Sequence, residues 1–223
     1  MSASSTAQLD SWTSSFGREY TDRNNLTLEQ MDTEAAGQLG ISKTEIYRAF
    51  LKNRLPIGRV LEVGCNIGLQ VRTLAALNPR LDIHGLEPQS YAVEKARALA
   101  PTLTFHQGNA LDLPFPDASF DLVMTNGVLI HIAPADLPRA MAEIGRVSRR
   151  YIFLHEYFAE TPTEVRYHGQ QGLMWKRDFA AAYEALFPTL KRIEHRTFPY
   201  SAAFGGPDLV DQVALLDQQP DGR

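Results

Sequence analysis

The chain has 223 residues, 44% of them hydrophobic and 22% charged, with a net charge of -4. This length supports one well-cored domain with small additions rather than two full ones. The acidic balance excludes a basic duplex-binding surface, and Cys65, the only cysteine, excludes a disulfide framework or a cysteine metal cluster. No run approaches the ~18 apolar residues of a membrane helix. Residues 1–15 are polar, with neither an apolar signal core nor basic targeting residues, so the cytoplasm is the expected location.

In chain order, residues 2–15 are rich in Ser and Thr and are expected to start loose. Residues 16–24, Phe-Gly-Arg-Glu-Tyr-Thr-Asp-Arg-Asn, crowd aromatic, basic and polar groups together without helical or strand periodicity. Thr27 and Gln30 have the spacing of a capping box and open a short helix. Ser42 and Glu45 repeat the device before Ile46, Tyr47, Phe50 and Leu51, whose spacing is helical. Two small helices are therefore expected ahead of the first strand, either covering a ligand site as a lid or capping a sheet edge.

Val60, Leu61 and Val63 read as a short buried parallel strand, and residues 69–77 read as a helix. Between them the chain must turn sharply and bring its backbone close to something. Gly64 and Gly68 permit this because they lack a Cβ, and Asn66 is among the few other residues that tolerate positive φ. Glu62 ends the strand with a carboxylate, which repels phosphate and suits a cationic or polyol ligand. The spacing agrees: Gly64-x-x-x-Gly68 is not the G-x-G-x-x-G of a dinucleotide fingerprint, and Leu69-Gln70 stands where a P-loop needs Lys and Ser or Thr.

Strand and helix signals then alternate. Residues 81–87, 103–107, 120–124 and 151–154 read as strands, and 90–99, 135–147 and 178–186 as helices; 191–198 and 211–216 read as closing strands. Such alternation implies a mainly parallel sheet covered on both faces, with ligands held outside the carboxyl ends of the strands where their order switches. Glu87, ending the second strand, is placed to accept from both ribose hydroxyls of a nucleoside. Asn109, with the backbone N–H groups of the Gly108–Leu111 turn, is placed to read an adenine edge.

Glu62-x-Gly64-x-Asn66-x-Gly68, Glu87, Gly108-Asn109-Ala110-Leu111 and the stretch from Asp121 to Ile132 follow one another across residues 57–155. They resemble the ordered motifs of the class I S-adenosylmethionine (SAM)-dependent methyltransferases, whose first motif is usually E/D-x-G-x-G-x-G. Asn66 departs from its middle glycine, and Asn109 stands where Asp is common. With the flanking residues 17–24, 127–138 and 172–179, nearly the whole chain is similar to the pseudaminic-acid-biosynthesis-associated methylases. It is also similar to the bacterial azetidine-2-carboxylate synthases, which turn SAM on itself.

The resemblance implies an α/β, Rossmann-like fold with a mainly parallel seven-stranded sheet, helices on both faces, a helical lid at residues 1–56 and a SAM-binding domain at 57–223. It implies SAM as cofactor, or as the substrate itself, held by Glu62, Gly64, Cys65, Asn66, Gly68, Glu87, Pro88, Asn109, Ala110, Leu111, Asn126 and Gly127. Arg18 and Arg23 are candidates to clamp the methionine carboxylate. Either chemistry is an in-line displacement at a carbon beside sulfonium, so positioning matters most and no metal is expected. His131, His155 and Tyr157 are candidate catalytic groups near the sulfonium, and Asn126 and Tyr20 candidates to hold an amino group. Phe16, Tyr20, Tyr157, Phe158, Tyr167 and Trp175 are candidates for an aromatic wall around the cation. The expected activity is methyl transfer to a small acceptor, with SAM cyclisation as the alternative and a non-enzymatic SAM-binding protein as a third. The expected partner is a small molecule, with neither nucleic acid nor membrane, and the chain a monomer or homodimer.

Overall fold

The computed structural model describes residues 6–51 and 57–218. Four helices come first: α1 (Ala7–Thr13), α2 (Ser15–Arg23), α3 (Leu28–Leu39) and α4 (Lys43–Leu51). Strands and helices then alternate through β1 (Arg59–Val63), α5 (Leu69–Leu77), β2 (Asp82–Glu87), α6 (Ser90–Leu99), β3 (Thr104–Gln107), β4 (Phe120–Asn126), α7 (Leu137–Val147) and β5 (Ser148–Tyr157). A ribbon of β6 (Thr163–Glu164) with β7 (Trp175–Lys176) precedes α8 (Phe179–Leu186), followed by β8 (Lys191–Pro199) and β9 (Val210–Asp217).

Seven strands form one sheet in the order β3-β2-β1-β4-β5-β9-β8. The first five in that order are parallel, β9 is antiparallel to β5, and β8 is antiparallel to β9. This is the mainly parallel sheet expected from the alternation of signals, with the seven strands that the resemblance implies. Side chains alternate across the pleat and split the core in two. On one face Leu122, Met124, Tyr151 and Phe153 pack with residues of α4, α5 and α6; on the other Val123, Ile152 and Leu154 pack with α7 and α8. Fully buried Phe153 sits 5.6 Å from the ring of Tyr47 and 5.8 Å from that of Phe50, a contact whose truncation to Ala costs about 3–5 kcal/mol.

Both capping boxes form. The Thr27 hydroxyl accepts from Gln30 N at 3.1 Å, and the Gln30 side chain accepts from Thr27 N at 2.8 Å. Ser42 N donates to Glu45 at 3.0 Å, and Glu45 N to the Ser42 hydroxyl at 3.2 Å. The expectation of only two leading helices is corrected: α1 and α2 are helical too. Their sequence lacked apolar periodicity because neither helix buries an apolar stripe. α1 buries no residue, and α2 buries only Gly17 and Thr21. Gly17 is small for a reason, since a Cβ there would lie 1.8 Å from the Trp12 carbonyl oxygen. Ser2–Ser5, expected to be loose, lie outside the described residues, as do 52–56, where the expected boundary at 56/57 falls. α4 itself buries Ile46, Tyr47 and Phe50 in the sheet's own core.

Two strands are longer than expected. β4 continues to Asn126, and β5 begins at Ser148 and ends at Tyr157, because polar ends such as His155–Tyr157 pair with β9 rather than contributing to an apolar run. Asp121, which stood among the motif residues, clasps the amino ends of the central strands β1 and β4, away from the cavity. Its carboxylate accepts from Gly58 N and Arg59 N at 2.9 Å each and pairs with Arg149 at 2.8 Å.

Candidate functional site

The strand order reverses between β1 and β4, and a cavity of about 260 Å³ opens there, at the carboxyl ends of the strands. The turn after β1 forms its floor. Gly64, Asn66 and Gly68 have φ of 74°, 47° and 78°, the left-handed conformation their types permit. Gly64 is required by packing: a Cβ there would stand 2.5 Å from Val128. Gly68 caps α5, and a Cβ there would stand 2.9 Å from the Phe105 ring, so it shapes the turn from behind and does not line the cavity.

Glu62, Cys65, Glu87, Pro88, Asn109, Ala110, Leu111, Asn126 and Gly127 all line the cavity beside Gly64 and Asn66, and so do Tyr20 and His131. Glu87 is held by two backbone donors, Asn66 N at 3.0 Å and Gln89 N at 2.9 Å, one on each oxygen. Burial pushes its carboxyl up to about 7. Glu62 is 2% exposed, and its Oε2 is buried without a hydrogen-bond partner among the described residues. Burial raises it well above the carboxylate range, helped by the charge of Glu87. At the third strand end one expectation is corrected: the Leu111 N–H is not free, because it donates to the Asn109 side-chain oxygen at 2.9 Å.

The remaining candidates lie elsewhere. His155 is not on the rim: at 2% exposed it donates from Nε2 to Asp211 at 2.6 Å, while Lys43 Nζ sits 3.1 Å from Nδ1. Burial, with Lys43 next, lowers its pKa and keeps it neutral. Tyr157 stacks edge-on with Tyr200 at 6.1 Å, outside the lining. The Arg23 side chain is 45% exposed, 4.0 Å from Glu19, and Arg18 lies 4.4 Å over the Tyr91 ring, so neither guanidinium lines the cavity. Among the described residues no group of three or more His, Cys, Asp or Glu is placed to hold a metal ion, and no helix is long and apolar enough to cross a membrane.

The covering wall is aromatic. Trp12, a residue the sequence reading passed over, has its ring 4.7 Å from His131, 5.1 Å from Tyr20 and 5.3 Å from Phe16. Tyr167 stands 4.9 Å from His131 and 6.3 Å from Phe16. Burial raises the Tyr20 phenol well above its ordinary range and Tyr167 to about 12, so both remain protonated. A signal for Trp12 was present in Thr6, which caps α1 by accepting from Leu9 N at 3.2 Å. Glu156 was also missed: fully buried and pushed up to about 7 by desolvation, it accepts from Val128 N at 3.0 Å and anchors the turn that carries His131.

Residues 60–150 match the model of a methyltransferase domain. An uncharacterised methyltransferase of Schizosaccharomyces pombe is 33% identical over 102 residues, 41% of this chain and 36% of that protein. The chain thus spans about a third of that relative's length. The 1,6-didemethyltoxoflavin-N1-methyltransferase of Burkholderia thailandensis, solved with 1,6-didemethyltoxoflavin and S-adenosylhomocysteine, superposes with a TM-score of 0.68 at 17% identity, covering 97% of this chain and 92% of that one. The [4+2]-cyclase SpnF superposes at 0.62 with 18% identity, covering 78% of this chain and 79% of its own. Matched in sequence over its central strands and in fold over nearly its whole length, the chain carries a methyltransferase domain at residues 60–150 and has the fold of SAM-dependent methyltransferases.

Proposed function

We propose that the protein binds SAM in this cavity and transfers its methyl group to a small acceptor. The observation that carries this reading is the pair of buried carboxylates on adjacent strand ends: Glu87, with both oxygens held by backbone N–H groups, and Glu62, with an oxygen left unpartnered. Glu87 accepts from the ribose hydroxyls, because a carboxylate oxygen bonded once still has a lone pair. Glu62 answers a positive charge, since a buried, unpaired carboxylate is stable only when neutralised. Asn109, Ala110 and Leu111 border the adenine, with Pro88 and Cys65 beside it. Asn126 and Gly127 border the methionine arm; the Tyr47 hydroxyl spends its proton on Gln70 at 2.7 Å and meets the Asn126 amide as an acceptor, leaving the amide oxygen of Asn126 to receive an ammonium hydrogen. Bound there, SAM supplies a carbon made electrophilic by its sulfonium.

The chain's own residues then align and desolvate. The rings of Trp12 and Tyr20 line the cavity with Tyr167 behind His131; a ring face over a cation is worth about 0.5–2 kcal/mol, and the rings exclude water that would dilute every charge interaction. α1 and α2 act as the lid, ordering over the ligand. The relative that methylates 1,6-didemethyltoxoflavin is consistent with a small heterocyclic acceptor on this fold.

A second reading is favoured by the rings of Trp12 and Tyr20 lining the cavity beside His131, aromatic surface that suits a folded SAM cation. In it SAM is the sole substrate. Its amino nitrogen attacks the γ-carbon, the carbon–sulfur bond breaks, and a proton is lost to give azetidine-2-carboxylate and methylthioadenosine. Asn126 and Tyr20 then hold the amine. Incubating the pure protein with SAM alone separates the two: methylthioadenosine together with azetidine-2-carboxylate assigns cyclisation, whereas SAM that survives until an acceptor is added, and then becomes S-adenosylhomocysteine, assigns methyl transfer. SAM that neither binds nor reacts overturns both.

A further inference from the structure

The charges around the cavity are one-sided. The described residues that line it include the carboxylates of Glu62, Glu87 and Asp136 and neither lysine nor arginine. Arg23 pairs with Glu19, Arg18 lies over Tyr91 and Lys43 rests against His155, all outside the lining; of these, Arg23 acts on the Tyr20 and Tyr167 phenols through its charge without lining the cavity. An incoming phosphate or carboxylate that brings no cation of its own would give up its water here and find neither lysine nor arginine on the lining to replace it.

At the end that His131 lines, the imidazole is a polar handle beside the Tyr20 hydroxyl. His131 Nδ1 is 2.7 Å from the Leu173 carbonyl oxygen. A carbonyl only accepts, so Nδ1 carries the proton and Nε2 is left as the ring's acceptor. Burial holds the imidazole down at about 4, so it is neutral at physiological pH. Around it stand Trp12 and Tyr167, with Phe16 closing behind. A neutral acceptor atom among aromatic faces selects by hydrogen bonding and stacking, not by charge.

We propose that this end, between Trp12, Tyr20, Tyr167 and His131, receives an uncharged, π-bearing molecule that donates one N–H or O–H to His131 Nε2 and that it rejects phosphates and carboxylates. The proposal deepens the SAM reading and rests on it for the position of the reacting carbon. It removes acidic sugars and nucleotide-linked compounds from the acceptor class and keeps neutral amines, phenols and heterocycles.

Three probes test it: indole, 1-methylindole and indole-2-carboxylate, titrated by ligand-observed NMR with and without saturating S-adenosylhomocysteine. Indole is expected to bind roughly tenfold tighter than 1-methylindole, the size of one buried acceptor left unpaired, and indole-2-carboxylate weakest of all. His131→Phe should erase the preference for indole over 1-methylindole, and His131→Gln should keep it, since the amide oxygen still accepts. The proposal is overturned if indole-2-carboxylate binds as tightly as indole to the unmutated protein, if none of the three binds, or if His131→Phe leaves the preference intact. Calorimetry with S-adenosylhomocysteine runs beside these titrations. Its failure would count against the SAM reading, while the ranking measured without it still decides the neutral subsite.

Discussion

The two walls of the cavity are built on different physical terms. The floor is the edge of a parallel sheet, where Glu62, Glu87 and Asn126 are carried by strands whose registers interlock residue by residue. The cover, α1 and α2, buries only Gly17 and Thr21 fully, half-buries the rings of Trp12, Phe16 and Tyr20, and is tied down by polar bonds. Gln89 donates to the carbonyls of Trp12 at 3.2 Å and Ser14 at 3.0 Å, Gln8 to Gly172 at 3.0 Å, and Thr21 to the Asn66 side chain at 3.0 Å. Asp22 adds exposed bonds to Tyr91 and Lys95. The floor therefore opens only with global unfolding, whereas the cover can release while the sheet stays folded. Binding geometry belongs to the rigid wall and access to the weak one.

The largest expected effect is on the floor. Gly64→Val places a β-branched residue at φ 74° and against Val128. It should cost about 1–3 kcal/mol in backbone strain and about as much again in overpacking, read as a lowered denaturation midpoint together with loss of SAM binding. Unchanged stability would break the contrast between the walls. Next, Glu87→Ala should weaken SAM binding by about 1.5–3 kcal/mol, the worth of charge-assisted bonds, with calorimetry as the check.

A smaller effect follows from pH. Burial sets Glu87 at about 7, against an ordinary value of 4.5. Only the carboxylate offers both oxygens to the ribose, so SAM affinity should climb with pH and weaken by up to about tenfold per unit below pH 7. Stability moves the other way. With the folded pKa raised, Glu87's contribution is fully present below about 4.5 and is lost as pH rises through about 7. Affinity that is flat from pH 6 to 8 would remove the ionised Glu87 from the ligand. The smallest effect concerns the cover. Amides of Ala7–Arg23 should exchange quickly without SAM and slow with it, and Gln89→Ala, at about 0.5–1.5 kcal/mol per lost bond, should speed their exchange while leaving the β-strands protected. Equal exchange with and without SAM would erase the distinction between floor and cover.

The elements legible in the sequence were those whose signal is local. Leu69–Leu77 and Ser90–Leu99 are helices at the expected residues, and the Thr27 and Ser42 boxes close as their spacing dictates. The alternation of apolar runs with amphipathic stretches sufficed for a parallel sheet, since only buried strands are apolar on both faces. The turn at Gly64, Asn66 and Gly68 was readable because positive φ restricts residue type. Glu62 and Glu87 reach the cavity because strand ends converge at the switch point. What stood outside the sequence depended on contacts between distant segments. α2 carries no apolar stripe, so its helix was invisible until Gly17 met Trp12 and Thr21 met Asn66. His155 had the type and position of a catalytic base, yet Lys43, 112 residues earlier, and Asp211, 56 residues later, bury it in a polar knot. His131 had the same type, and only the carbonyl of Leu173, 42 residues on, assigns its proton to Nδ1 and leaves an acceptor in the ring that lines the cavity. Periodicity and conformational restriction are local and are written in the chain, whereas burial, protonation and partnership are set by which distant segments the fold brings together.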